Sequence, residues 1–130
     1  VTDKLKYDDL KQFKYRVLEV FTMETDIFSE VPIETTFSCL DIDGMITIYP
    51  GFCWDGATGA LDTNNIMRGS CVHDAFCNWH DQGMLTLEHR KKADELLEKI
   101  IKEDGMSDFR AGYVYGAVQA WVKLRYQMLD

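Results

Sequence analysis

No apolar run in the sequence approaches the roughly 18 residues that a membrane-spanning helix requires, so no integral membrane segment is expected. The N-terminus, Val1 to Asp9, is polar and charged and lacks an apolar h-region, which predicts no secretory signal and a cytoplasmic location. Cations are scarce: Lys+Arg number 14 against 22 Asp+Glu, for a formal net charge of −8. Sequence-independent nucleic-acid binding needs clustered cations, so nucleic acid is excluded as an expected partner; the one local basic group is Arg90-Lys91-Lys92. Internal repeats and low-complexity segments are also missing, which excludes a solenoid. What remains is 46% hydrophobic and 28% charged, an ordinary globular composition, and 130 residues suit one domain. The four cysteines, Cys39, Cys53, Cys71 and Cys77, are expected to be free thiols. Cys71 and Cys77, expected on one helix, would stand about 9 Å apart along its axis, beyond disulfide reach.

The chain divides into an extended first half and a helical second half, which predicts an α+β fold: a small antiparallel sheet packed on three helices. Strands are expected over about residues 11–49. One runs from Lys11 to Thr25 and a second from Ile33 to Leu40. An Asp41-Ile42-Asp43-Gly44 turn then leads into a third, Met45 to Tyr49. Residues 50–64 form a loop with Gly51, Gly56 and Gly59, too long for a plain connector. Three helices fill 65–127: the first capped at Thr63 or Asn64 and ending near His80, the second from Thr86 to Asp104 with Gly105 beyond it, the third capped by Ser107. In the third, Gly112, Gly116 and Ala120 form a small-residue ridge that would let another element approach closely.

Chemistry concentrates in the first helix. His73, Cys77 and His80 share one face, with Asp74 one step around. On the second helix, Asp94 borders the apolar stripe of Ala93, Leu96, Leu97, Ile100 and Ile101. A carboxylate there needs a partner. Arg90, one turn earlier, is one option; His73, across the helix pair, is the other. The second option fixes the imidazole tautomer and frees the other nitrogen as a base. Asp74, a hard oxygen donor beside that base and near a glycine-rich loop, then suits a metal, calcium first. Zinc on the His73, Cys77 and His80 face is not expected, because no second ligand pair with finger spacing exists.

Three ordered stretches resemble a family of tailed phages and prophages known as domain of unknown function 1353. They are Tyr49-Pro-Gly-Phe-Cys-Trp-Asp-Gly-Ala-Thr-Gly, Met67-Arg-Gly-Ser-Cys-Val-His-Asp-Ala and Arg90-Lys-Lys-Ala-Asp94. The resemblance implies a phage or prophage origin, hence the infected or lysogenic host cell or the virion as location. It implies no activity. The chain is similar, more weakly, to secreted bacterial phospholipases of the A-two type, which place a calcium loop before a His-Asp helix and an orienting Asp in the next. That similarity implies His73 as base, Asp94 as its orienter and Asp74 with loop residue Asp55 as calcium ligands. Trp54, Gly56, Arg68 and Arg90, from the same motifs, are expected to support the site. No lipid-facing apolar face stands out along the chain.

Each feature also has a bland explanation. His73 and Asp74 fit a satisfied polar pair, Arg90 and Asp94 an exposed i,i+4 pair, Asp55 and Asp62 turn chemistry, and the tryptophans core packing. Two functions follow. One is a calcium- or other metal-dependent hydrolase acting on an ester or phosphoester. The other is a non-catalytic phage protein that binds a host or virion protein in assembly, lysis or counter-defence. The first requires a His73–Asp94 hydrogen bond, with the free imidazole nitrogen facing a cleft beside Asp74 and Asp55.

Overall fold

The computed structural model describes residues 3–10, 14–56 and 62–129. The fold is α+β, with two small antiparallel sheets in the first half and three helices in the second. β1 (Tyr7–Leu10), β2 (Lys14–Val17) and β7 (Cys53–Trp54) form one sheet in the order β1-β2-β7. β3 (Phe21–Glu24), β4 (Ile33–Glu34), β5 (Ser38–Leu40) and β6 (Met45–Ile48) form the other, in the order β3-β6-β5-β4.

The strand expected from Lys11 to Thr25 is two strands in different sheets, and its first residues, Lys11 to Phe13, lie outside the described residues. Its apolar residues explain the break. Val17-Leu18 and Val20-Phe21 are doublets, and a continuous strand cannot turn both members of a doublet inward. Val17 exchanges backbone bonds with Phe52 and Gly51 in the first sheet, whereas Phe21 pairs with Ile48 in the second. The strand expected from Ile33 to Leu40 is likewise a hairpin, closed by Thr35, whose N–H and hydroxyl both donate to the Ser38 carbonyl. The expected Asp41–Gly44 turn forms as read. Asp41 Oδ1 accepts from the N–H groups of Asp43 and Met45, and Gly44 takes φ +88° with its Cα against the Thr25 carbonyl. The 50–64 loop is interrupted by β7, and its Gly59 lies outside the described residues.

The helices follow their caps. α1 (Asn64–Asp81) starts after Thr63 and closes at Gly83, where Met84 N–H donates back to the Trp79 carbonyl. α2 (Leu87–Glu103) starts in a capping box: the Thr86 hydroxyl accepts from His89 N–H, and Thr86 N–H donates to His89 Nδ1. α3 (Asp108–Leu129) is capped by Ser107 Oγ, which accepts from Arg110 N–H.

α1 packs along α2 at Gly69. A Cβ there would stand 2.9 Å from Ile101 Cγ2 and 3.0 Å from Leu97 Cδ1, so any larger residue would have to push these side chains aside. The approach sets the distance across which α1 and α2 side chains meet. Ala111 and Val114 of α3 join the same core. The small-residue ridge of α3 is not used for packing as expected: Gly112 and Gly116 face outward, with nothing among the described residues within 4 Å of a Cβ. The apolar contacts of α3 come instead from the neighbouring face.

Candidate functional site

His73, on α1, and Asp94, on α2, meet across the helix interface, His73 Nε2 to Asp94 Oδ1 at 2.5 Å. Asp94 is only 1% exposed despite its charge. Its other oxygen accepts from Gln119 Nε2 of α3 at 3.0 Å, and Arg90 Nε stands 4.0 Å from Oδ1. Both sequence options for Asp94 are therefore used, with His73 supplying the hydrogen bond and Arg90 a more distant charge. The pair with Arg90 is buried, not an exposed i,i+4 pair. With a carboxylate on Nε2, the neutral imidazole carries its proton there, and Nδ1 is left as the acceptor. Cys77 Sγ stands 3.5 Å from Nδ1.

His73 borders a cleft of about 470 Å³ with two unlike walls. Asp74, Cys77, Asn78, Asp81 and Arg90 make one wall polar, and Leu97, Val118, Trp121 and Leu124 make the other apolar. Gly56, from the loop, also lines it. Burial pushes the Asp74 carboxyl up to about 6, and the charges of Asp55 and Asp81 add to this against Arg90 and an Asn78 hydrogen bond. Burial also lifts the Cys77 thiol to about 12, against Arg90 and with the charge of Asp74.

The structure brings His73, Asp74, Arg90 and Gly56 to this cleft, with buried Asp94 bonded to His73 and exposed Asp55 acting on Asp74 through its charge. Arg68 stands apart. It spans from α1 to the far end of α2, where it donates to Glu103 and to both Asp104 oxygens. Trp54 is buried and donates from Nε1 to Ser70 Oγ at 3.0 Å, which fastens the loop to α1. Asp62 does more than cap a turn: it accepts from Tyr15 OH at 2.8 Å and ties the end of the loop to β2. Among the described residues no group of three His, Cys, Asp or Glu side chains is disposed to hold a metal ion. His80 turns toward Arg90 and Asp81, and Cys71 is buried. All four cysteines are free.

Three features of the site lay outside the sequence reading. Gln119 carried a weak signal, as an amide one step from Val118 on a mostly apolar helix. Cys77 was visible at i+4 from His73, but as a zinc ligand. The apolar wall left no signal, because it combines residues from two helices. No family model, curated protein or solved structure matches the chain. Among the described residues no helix is long and apolar enough to cross a membrane.

Proposed function

We propose that the chain is a hydrolase of an ester or phosphoester, with His73 as general base and Asp94 as its positioning partner. One observation carries the reading: the buried Asp94 carboxylate holds His73 Nε2 at 2.5 Å while the ring borders a cleft wide enough for a substrate. A structural polar pair has no need of the cleft. Gln119 and Arg90 keep Asp94 in place, so the imidazole is oriented before substrate arrives. The apolar wall gives an acyl or alkyl chain a surface to lie on.

Calcium belongs to this reading as a proposal about Asp74 and Asp55. Asp74 in the cleft and Asp55 on the preceding loop are hard carboxylates that match its donor chemistry, and two are fewer than the six to eight oxygens it takes. Bound there, it would polarise a carbonyl or phosphoryl oxygen. A cation at 100 times its Kd adds about 2.7 kcal/mol, a shift of several degrees in Tm. Calcium is expected to raise the melting temperature of the wild type but not of Asp74→Asn. Equal curves with and without calcium remove the cation from the account.

The phage origin implied by the three motifs fits an accessory enzyme made in the host cell or carried in the virion. The hydrolase reading is tested with p-nitrophenyl esters of graded chain length and bis-p-nitrophenyl phosphate. His73→Asn and Asp94→Asn should each lower turnover by at least 100-fold while the protein still melts cooperatively. Absence of turnover in the wild type favours the second reading, a protein that binds a host or virion protein. Phe109 and Tyr113, 89% and 65% exposed on α3, offer that reading its surface.

A further inference from the structure

We infer that Cys77 is a covalent nucleophile, making the site a Cys77–His73–Asp94 triad for acyl transfer. The inference rests on the hydrolase reading and narrows its substrate class to carboxylic esters and thioesters. The observation is the contact between Cys77 and His73. The Cys77 sulfur stands 3.5 Å from Nδ1 and 3.7 Å from Nε2, over the ring, and Nε2 is engaged by Asp94, which leaves Nδ1 as the nitrogen that can take the thiol proton. Cys77 also lines the cleft, so the sulfur faces both the base and the space where substrate would lie. Thiol, imidazole and carboxylate are in contact, the set of groups that activates a thiol once the sulfur moves from over the ring to the Nδ1 edge.

The backbone explains why the three meet. Cys77 and His73 are one helical turn apart on α1, so their side chains lie on one face. Gly69, two turns N-terminal of Cys77, lets α2 bring Asp94 to the Nε2 edge of the ring. Cys71 offers a contrast on the same helix: it is buried in the core, whereas Cys77 is at the cleft.

The resting nucleophile is the neutral thiol, because burial and the surrounding carboxylates oppose a thiolate. Its proton therefore leaves during attack. His73 Nδ1 takes the S–H proton as Sγ bonds to the acyl carbon. The carbon–oxygen bond of the ester breaks, and the imidazolium returns that proton to the departing alkoxide. Water then enters, gives a proton to Nδ1 and bonds to the thioester carbon. The carbon–sulfur bond breaks and the thiolate recovers the proton. The sum is ester plus water to acid plus alcohol, with no other reactant. Leu97, Val118, Trp121 and Leu124 would receive the acyl chain.

Two arms test this. In the first, the wild type is quenched during turnover of p-nitrophenyl hexanoate and mapped by mass spectrometry. A hexanoyl adduct on Cys77 is expected, with turnover at least 100-fold lower in Cys77→Ala. Hydrolysis by a folded Cys77→Ala at the wild-type rate overturns the thiol and leaves the His73 hydrolase standing. In the second arm, chloroacetamide labelling of Cys77 is measured against exposed Cys53, which serves as an internal reference. Labelling of Cys77 should fall at least 10-fold in His73→Asn, with Cys53 unchanged. Equal labelling in the two proteins overturns the proposal whatever the ester result. Labelling that depends on His73 without ester turnover supports the activated thiol and overturns the hydrolase reading.

Discussion

Asp74 and Asp94 are both carboxylates at one cleft, and their surroundings treat them in opposite ways. Asp94 has His73, Gln119 and Arg90 around it. Removing it as Asp94→Ala leaves His73 and Gln119 without their acceptor, and a broken buried pair costs about 3–5 kcal/mol. Denaturant unfolding should show that loss, and a change under 1 kcal/mol would mean that Asp94 is not held as described. Burial, with the charges of Asp55 and Asp81 adding to it, raises the Asp74 carboxyl from 3.8 to about 6. The native state then binds that proton more tightly than the unfolded chain does. Stability from this group is complete below about pH 4 and is lost as pH rises through 6, by up to roughly 3 kcal/mol. Asp74→Asn should therefore be more stable than the wild type at pH 7.5, with the gain vanishing toward pH 4. A destabilised Asp74→Asn in metal-free buffer at pH 7.5 would contradict this sign. The sequence placed both residues at the site, but not their difference, which depends on neighbours from three helices and a loop.

Helix boundaries were readable because caps are local. Thr86 with His89, Ser107, Gly83 and Gly105 mark ends by chemistry that acts within one turn. Thr86→Ala removes the capping-box acceptor and should cost about 1 kcal/mol in thermal or denaturant unfolding. Strands were readable only as extended chain. Whether Val17 and Phe21 belong to one sheet or two is decided by Phe52 and Ile48, more than twenty residues away. The Gly69 contact was also invisible, because the sequence offers no sign that α2 touches α1 there. Gly69→Ala sets a gain of about 1 kcal/mol in helix propensity against a clash with branched side chains that costs about 1–3 kcal/mol. The larger Gly69→Val should destabilise clearly and lengthen the His73–Asp94 contact, so esterase turnover should fall with stability. A neutral Gly69→Val would show that the helices are farther apart than described.

At the scale of the molecule, a net charge of −8 on 130 residues means self-repulsion. Melting temperature should rise by a few degrees between about 10 mM and 0.5 M sodium chloride, where the screening length falls from roughly 30 Å to under 5 Å. A salt-independent Tm would mean that the acidic side chains are compensated in pairs. The α+β division was legible because the hydropathy period changes near residue 64, where α1 begins. The cleft was not, since its walls come together only after α1, α2 and α3 have packed. The account turns on what that packing does to one imidazole. Long-range proton–nitrogen correlation spectra of uniformly labelled protein at neutral pH report which nitrogen of His73 carries hydrogen. The account predicts a proton on Nε2, toward Asp94, and a bare Nδ1, with the preference lost in Asp94→Ala. A proton on Nδ1 with Nε2 bare would contradict it, because His73 would then have no lone pair to offer the cleft.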